Sequence, residues 1–361
     1  RLAFGAAPDG TPKPSAVAVT AQWTTTIPVD ENADPVMNAI SWMDGRGAGP
    51  AYRAVGPAPR VSGYNPRKLK KWIQMTAGAP SLQGHDPVGQ ILTIAERYPD
   101  AYARTAFFLE PGDFLTARLT GNIVTAPETA TMCWGTDTRD VDNIQYNDKL
   151  LAMSGLNPSK LAPIVPSGSV IGEVLPERAK ELGIDPVPVT TSTPDLTSAA
   201  VGSGQVADGA MHLYGGTSSW LSAHVPFKRT DLFHNIATLP SSIKGRYLVA
   251  TEQQTAGRSL EHLRNELLGM PDMPFADLVA EAEASAPGAG GTFFTPWLNG
   301  DRTPIDDNDS RASYTNISLG TSLGDLVRAT LEGVAMNMRW MHHYTEKLVK
   351  SRADDIAVIC G

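Results

Sequence analysis

The stretch FTPWLNGDRTP at 294–304, followed by DLVRATLEG at 325–333, decides the fold of this chain. The Asn-Gly dipeptide in the first stretch indicates a turn, and Thr-Pro at its end favours an extended exit. Asp301 and Arg302 place a charge pair on this connection. We therefore predict a structured loop that leads into a long amphipathic helix from about Asp325.

The period of that helix can be followed in the sequence. One face at helical spacing carries Leu331, Val334, Ala335, Met338 and Met341. Ser322 and Asp325 have the spacing of a capping box, with Asp in place of the usual Glu. Apolar stripes of this kind are more often core than ligand site, so we predict core and assign the stripe no chemistry.

Composition limits the class of protein. A chain of 361 residues with 42% hydrophobic residues is too long for one ordinary core, which predicts two domains. The net charge of −8 argues against nucleic acid and anionic membranes as partners and favours a small molecule. Cys133 and Cys360 lie far apart and have no metal-ligand spacing, so no metal site is predicted. Without a long apolar run or a signal peptide, we expect a soluble protein of the reducing cytoplasm.

Both ends of the chain have the character of cut ends. The chain starts at Arg1 and stops at Gly361, directly after the apolar, β-branched run DIAVIC. A buried strand closed by Gly commonly begins a strand-to-helix ligand loop. We expect further sequence on both sides.

Local patterns predict several elements. Strands are expected at 15–22 and 37–44, a helical pattern broken at Pro99 at 90–110, and a short helix closed by Gly121 at 112–121.

Asp195, in TTSTPDLTSAAVGSG at 190–204, is the strongest candidate for chemistry. After Pro194 it is placed to begin a helix, where an Asp is usually an N-cap that accepts a backbone N–H. The functional alternative is a general base that takes a proton from a hydroxyl attacking a phosphate. Both are compatible, because a helix N-terminus keeps a carboxylate ionised and fixed in direction.

The run AMHLYGGTSSWLSAHV at 210–225 predicts strand, tight turn and strand around Gly215-Gly216. Glycines in such a turn let successive backbone N–H groups point at an anion, and the hydroxyls of Thr217 and Ser218 add donors. A phosphate could be held there without Lys. The alternative is a plain hairpin turn.

Taken in order, these motifs resemble the FGGY carbohydrate kinases, in which a run like FxPYLNGERTP precedes a helix of the form DLxRAxLEG. Further similarities are TPDLTSAAVGSG to GxGDxxAxxxGxG, LYGGTSSWL to SxGTSxxL, AGRSLEHLRNELLG at 256–269 to AGxxLxWLRDxLG, SWMDGRG at 41–47 to LWxDxR, and LEPGDFLTARLTG at 109–121 to LxPKDYLxxRLTG. The resemblance spans essentially the whole chain.

The resemblance implies an α/β fold of two ribonuclease-H-like domains, of the actin and hexokinase type, with ATP and sugar in an interdomain cleft. The first domain would run over 1–207 on the sugar side, and the second over 208–361 on the nucleotide side. Both would be truncated: the first would lack its opening strands with a phosphate hairpin, and the second its adenosine loop.

The resemblance also assigns residues. Asp195 would be the catalytic base, and the sugar pocket would be lined by Gln22, Trp23, Thr24, Asp195 and Leu196. The nucleotide would be approached by Gly215, Gly216, Thr217, Ser218, Gly257 and Gly361. Asp44 and Arg46 would be structural residues or lie at the pocket edge.

The implied activity is an ATP- and Mg²⁺-dependent phosphorylation of a ketose or polyol, most similar to that of the xylulose kinases on D-xylulose. Thr24 and Leu196 stand where those kinases carry His and Asn, and the family's Lys-Leu-x-Trp segment becomes Gln90, Ile91 and Thr93. Another polyol or a sugar acid, such as erythritol or gluconate, is therefore an alternative substrate, and a non-catalytic sugar-binding protein an alternative function. Homodimerisation is left open.

Overall fold

A computed structural model of the protein describes residues 13–350 and 356–360. The chain divides into two compact units, the first comprising Arg1–Ser198 with Leu239–Tyr247 and the second Ala199–Thr238 with Leu248–Gly361. The domain boundary proposed at 207 to 208 stays a prediction.

The first unit consists of short helices connected by short paired strands. Most of its helices begin with Pro, whose fixed φ suits the first helical position and whose missing N–H costs nothing there. The helices are α1 (Ala48–Ala54), α2 (Pro66–Met75), α3 (Pro87–Arg97), α4 (Pro99–Arg104), α5 (Pro111–Thr120), α6 (Pro127–Ala130), α7 (Asp148–Ser154), α8 (Pro176–Leu182) and α9 (Asp195–Gly202), within which the division falls.

The strands of this unit pair two by two. The pairs are β1 (Thr20–Ala21) with β8 (Thr193–Pro194), β2 (Ile27–Val29) with β3 (Phe107–Leu109), β4 (Thr136–Asp137) with β5 (Gln145–Tyr146), and β6 (Val170–Glu173) with β7 (Pro188–Thr190). The core that supports them is formed by side chains from several helices and strands, including Ile40, Val88, Ile91, Ile94, Phe108 and Leu151.

Local expectations in this unit have mixed outcomes. The break at Pro99 is confirmed by α3 and α4, but residues 107–109 form strand β3 rather than helix. Helix α5 ends as predicted at Gly121, which adopts φ 75°. The predicted strand at 15–22 is present only as β1 and an isolated bridge at Val17.

The predicted strand at 37–44 is wrong. Only Ile40 makes a bridge, with Thr26. The chain then turns, because Asp44 N–H donates to Ser41 O at 2.9 Å. Asp44 also caps a 3₁₀ turn by accepting from Arg46 N–H, and its carboxylate pairs with the Arg46 guanidinium. The polar contacts of Asp44 thus favour a turn where the alternation of apolar and polar residues had predicted a strand.

The second unit contains a six-stranded sheet in the order β11-β12-β13-β10-β9-β16. Strands β9 and β10 form an antiparallel hairpin, and β16 lies parallel to β9. The strands are β9 (Met211–Gly215), β10 (Ser219–Val225), β11 (Thr230–Asp231), β12 (Ile236–Pro240), β13 (Tyr247–Ala250) and β16 (Ile356–Cys360), with a separate pair β14 (Phe293–Thr295) and β15 (Ser313–Thr315). The hairpin and the strand character of the terminal run are confirmed, but Ile356 and Val358 are exposed, so the burial expected of that strand is not.

Three helices complete this unit: α10 (Gly257–His262), which continues as a π turn over Leu263–Leu267, α11 (Phe275–Ala284) and α12 (Leu323–Val349). Both bonds of the predicted capping box at Ser322 and Asp325 are present. Leu263, Leu278 and Val327 join these helices in one core cluster.

The loop at 294–304 is held from within. Asp301 is 4% exposed, and its carboxylate accepts from Gln254 N–H at 3.0 Å and from Asn337 Nδ2 at 2.7 Å. Arg302 instead pairs with Glu252. Both residues lie on the connection as predicted, but their charged groups bond to different partners: Asp301 anchors the loop to α12, and Arg302 pairs with Glu252.

Candidate functional site

Strand pairing brings two of the predicted sugar-site segments together. β1 and β8 run parallel, with Thr20 opposite Thr193 and Ala21 opposite Pro194. The next residues on the two strands are Gln22 and Asp195. The structure therefore places the segment 22–24 beside Asp195 and Leu196, at the carboxyl ends of paired strands.

Asp195 begins helix α9 with an exposed side chain. Its Oδ1 accepts the Leu196 N–H at 2.8 Å, a contact with the adjacent residue rather than the bond to the second or third helical N–H that defines an N-cap. Although part of its surface is open, the surrounding chain removes enough water from the carboxylate to raise its pKa above the ordinary value. This shift is opposite to the one expected from a helix N-terminus, because the loss of water outweighs the backbone N–H contacts. A raised pKa makes the carboxylate a better proton acceptor.

The segment 22–26 has an unusual backbone. Thr24 adopts φ 59°, a left-handed conformation that is uncommon for Thr. Gln22 donates from Nε2 to Thr25 Oγ1 at 2.9 Å. The buried indole N–H of Trp23 finds no acceptor among the described residues. A non-Gly residue in this conformation persists only where the surroundings fix it.

Two buried side chains from outside the segment fix it. Gln90 is fully buried, donates from Nε2 to Thr24 O at 2.8 Å and accepts from Thr26 Oγ1 at 2.6 Å. Glu110, 8% exposed, accepts the Thr25 N–H at 3.0 Å. We refer to Gln90 and Glu110 as the clamp of segment 22–26.

Sequence reasoning noted Gln90 only as a departure from the family's Lys and did not identify Glu110. The available signal was a charged residue between the apolar strand FFL and a Pro-initiated helix. Such a residue seldom becomes buried without a backbone or charged partner.

Buried carboxylates surround this region. Burial raises the pKa of Glu110 well above its ordinary value, that of Asp113 to about 7 and that of Asp86 to about 6. Asp113 accepts from Ser192 Oγ at 2.7 Å, just before β8. Glu110 and Asp113 also line a small cavity of about 40 Å³, and Glu110 Oε1 has no partner among the described residues. Glu110 and Asp113 therefore support segment 22–26 and the residue before β8, whereas Asp86 accepts from Ser81, Gly89 and Trp134.

The turn between β9 and β10 is a three-residue loop. Gly215 pairs with Ser219, and the Gly216 N–H donates to Ser218 O at 2.9 Å. Across residues 13–350 and 356–360, no protein acceptor receives the N–H of Thr217 or Ser218, and neither hydroxyl has a partner. Two amides and two hydroxyls are thus available at one turn, which suits a phosphate group.

Helix α10 begins against this turn. Ala256 N–H and Arg258 N–H donate to Thr217 O at 2.9 and 3.2 Å, and Gly257 N–H donates to Gly216 O at 2.8 Å. A Cβ at position 257 would lie 2.8 Å from Gly216 O, so only Gly allows this approach. The first amides of α10 therefore hold the turn in place.

A cavity of about 440 Å³ opens beside the turn. Its walls are the turn itself, the start of α10 with Leu260 and Glu261, and the α12 side chains Thr330, Leu331, Val334 and Met338. The volume and the mixture of apolar walls with polar groups at one end are typical of small-molecule sites.

This cavity corrects the prediction for the apolar stripe of α12. Leu331 is 38% exposed, and Val334 and Met338 are half-buried on the cavity wall. Met341 alone of the five stripe residues is fully buried. The stripe residues share a face as predicted, but that face borders an open cavity rather than a packed core.

The remaining predicted residues are placed as follows. Gly215, Gly216, Thr217 and Gly257 line the cavity, whereas Ser218 lies on the turn outside its lining. Gly361 lies outside the described residues. Among those that are described, no group of three or more His, Cys, Asp or Glu side chains could hold a metal ion. Within the same ranges, the helices are too short or too polar to span a membrane.

Comparison with known proteins identifies both halves of the chain. Residues 11–202 match the N-terminal domain, and residues 211–361 the C-terminal domain, of the FGGY family of carbohydrate kinases.

Curated relatives carry two kinds of name. The chain is 26% identical to a xylulose kinase of Lactococcus lactis over 92% of its own length and 63% of the relative's. It is 23% identical to a gluconokinase of Bacillus licheniformis over 90% of its length and 62% of the relative's. The chain thus spans less than two thirds of these relatives.

Solved structures agree in fold. Ligand-bound xylulose kinase and gluconate kinase, both from Lactobacillus acidophilus, each superpose with a TM-score of 0.81 at 20% identity, over 97% of this chain and 68% of theirs. Plasmodium falciparum glycerol kinase with ADP gives a TM-score of 0.78 at 21% identity, over 96% of this chain and 67% of that one. The predicted α/β fold of the actin and hexokinase type is confirmed by these neighbours. Consecutive matches to both domain models, over most of the chain and on the shared fold, show that the protein belongs to the FGGY family of carbohydrate kinases.

Proposed function

We propose that this protein is part of an ATP- and Mg²⁺-dependent kinase that phosphorylates a hydroxyl of a ketose or polyol. The observation that carries the proposal is the 216–218 turn, with unpartnered N–H and hydroxyl groups at the end of a cavity of about 440 Å³. Such a turn fits the terminal phosphates of a nucleotide, and the half-buried apolar side chains of α12 fit its base and ribose.

Phosphoryl transfer depends mainly on placement and on stabilisation of charge. When bound, ATP supplies the transferable phosphoryl group and Mg²⁺ neutralises its negative charge. Mg²⁺ is usually held by phosphate oxygens and water with one or two carboxylates, so it requires no dedicated cluster of protein ligands.

In this proposal Asp195 accepts the proton of the attacking hydroxyl. Its place at the start of α9 and the hydrogen bond from Leu196 N–H fix the direction of the carboxylate. Gln22, Trp23 and Thr24 line the sugar pocket, and the clamp bonds to the backbone of Thr24 and Thr25.

Our first choice of substrate is D-xylulose, with product D-xylulose 5-phosphate. Relatives named xylulose kinase and gluconokinase have similar identity to this chain. Leu196 and Thr24 cannot make the contacts of the Asn and His they replace, so another polyol or sugar acid, such as erythritol or gluconate, is the alternative. The same two departures also favour, as a second candidate, a non-catalytic sugar-binding protein.

A two-part experiment tests the proposal. Thermal shifts of the protein, extended to the length of its relatives, are measured with a panel of ketoses, polyols and aldonates, with and without ATP and Mg²⁺. ADP release is then measured for each sugar that binds. Sugar-dependent ADP release supports the kinase. Sugar binding without ADP release supports the non-catalytic candidate, and no response to sugar or nucleotide contradicts both.

A further inference from the structure

Helix α2 carries an unusually basic face. Its sequence, PRKLKKWIQM, places Arg67, Lys70 and Lys71 at i, i+3 and i+4, so the three side chains share one side. Lys68 has a different role, because its Nζ donates to the carbonyls of Ala54 and Met153 at 2.7 Å each. We refer to Arg67, Lys70 and Lys71 as the basic face.

The basic face is unfavourable for the helix that carries it. No carboxylate in the described part of the chain pairs with any of its three residues. Like charges at i, i+3 and i+4 repel. Arg67 also lies in the first turn, which has no acidic residue, at the positive end of the helix dipole. A local arrangement that opposes two rules of helix stability is typical of functional surfaces.

The basic face borders a cavity of about 620 Å³ within the first unit, lined by Arg67, Lys70, Lys71, Gln74, Met75 and Arg139. Arg139 is held in place from two sides. The preceding Thr138 N–H donates to Met75 O at 2.8 Å, and Tyr247 Oη donates to Thr138 O at 2.7 Å.

Asp137 orients the Arg139 side chain but does not use all of its N–H groups. Nε and Nη2 donate to Asp137, whereas Nη1 has no partner among the described residues. The fourth cation is therefore fixed by an acidic neighbour while keeping donors for a ligand.

We propose that this cavity binds a small molecule carrying two or more phosphate groups. From Arg67 to the end of α2 at Met75 the helix rises about 12 Å, and Arg139 lies at that far end, so one phosphate cannot contact all four cations. A ligand with two separated phosphates can. The net charge of −8 over the chain opposes long polyanions such as nucleic acid and favours a compact ligand.

Isothermal titration of the protein with glucose 1,6-bisphosphate, inorganic pyrophosphate and orthophosphate tests the proposal. We expect the bisphosphate to bind at one site and orthophosphate to bind with an affinity at least about tenfold lower. The double variant Lys70→Gln/Lys71→Gln is expected to weaken bisphosphate binding by about tenfold or more. It should unfold at the same or a higher temperature than the parent, because it removes like-charge repulsion.

The matched control is Lys13→Gln/Lys180→Gln, which removes two exposed positive charges at and near helix α8 in the same unit. It is expected to change bisphosphate affinity by less than about twofold, since screening confines each charge to its surroundings. The proposal is overturned if the bisphosphate does not bind, if both double variants behave alike, or if orthophosphate binds equally well. Preferential binding of a heparin fragment or an oligonucleotide through Lys70 and Lys71 also overturns the assignment to a small molecule.

Discussion

The contact between helix α10 and the 216–218 turn makes Gly257→Ala a sharp test of the candidate nucleotide site. The new Cβ would lie 2.8 Å from Gly216 O, whereas ordinary contacts begin at 3.4 Å, so the helix must withdraw by about 0.6 Å. That movement stretches the three hydrogen bonds that join residues 256–258 to the turn.

The expected cost follows from these contacts. Overpacking of this kind is expected to lower the free energy of unfolding by about 1 to 3 kcal/mol. This is the net loss after the roughly 0.4 to 1 kcal/mol that Gly→Ala gains by restricting the unfolded chain. For a domain of this size, that corresponds to a fall of about 2 to 12 °C in the unfolding midpoint. Because the turn moves with the helix, ATP affinity should also fall by about tenfold.

Gly202→Ala is the matched control, because a Cβ at that position meets nothing within 4 Å. It is expected to leave the midpoint unchanged or raise it, and to leave ATP affinity unchanged. Thermal unfolding and nucleotide titration of both variants measure these effects. If Gly257→Ala is as stable as Gly202→Ala, the close approach is not rigid and our reasoning about the turn is refuted.

Four further outcomes are expected. Asp195→Asn, in the protein extended to the length of its relatives, should lower turnover by about 10²-fold or more with little change in sugar affinity. An equally active folded variant would remove Asp195 from the chemistry. Gly216→Val places its Cβ 2.6 Å from the Tyr214 hydroxyl, so ATP affinity should fall while sugar binding persists; unchanged ATP affinity would remove the turn from the site. Because Leu196 and Thr24 leave sugar hydroxyls unpaired, kcat/KM over C4 to C6 substrates should favour D-xylulose by less than about 10³-fold, and a larger preference would contradict this. Burial raises the pKa of Asp113 in the folded state to about 7 from 3.8, so the folded protein keeps this proton at pH values where the unfolded chain has lost it. As the pH rises from about 4 to 7, the free energy of unfolding of the wild type should therefore fall relative to that of Asp113→Asn, by up to about 4 kcal/mol in urea titrations. Parallel pH profiles of the two proteins would contradict this.

The sequence predicted elements whose determinants are local. The capping box at Ser322, the left-handed Gly121 and the β9–β10 hairpin each depend on a few adjacent residues, and all are present. The prediction of a strand at 37–44 was wrong because the alternating apolar pattern was outweighed by the contacts through which Asp44 caps a 3₁₀ turn. Periodicity alone did not reveal that contact.

Features that depend on long-range packing were not predictable in this way. The period of α12 shows that Leu331 and Val334 share a face, but not whether that face meets core or cavity. Likewise, Glu110 reaches Thr25 across 85 residues, a contact without a local signal. The candidate residues could be identified from the sequence, whereas the side chains that hold them could not.

In segment 22–26, the residues that hold the backbone in place differ from those proposed to contact the sugar. Gln90 and Glu110 bond to Thr24 O, the Thr25 N–H and the Thr26 hydroxyl, and to neither the Trp23 nor the Thr24 side chain. Exchanging those two side chains therefore need not disturb the backbone path, and Asn or Gly suits the left-handed position 24 better than Thr. A library randomised at 23 and 24, with the clamp kept intact, is consequently a compact starting point for evolving new sugar preferences in this scaffold.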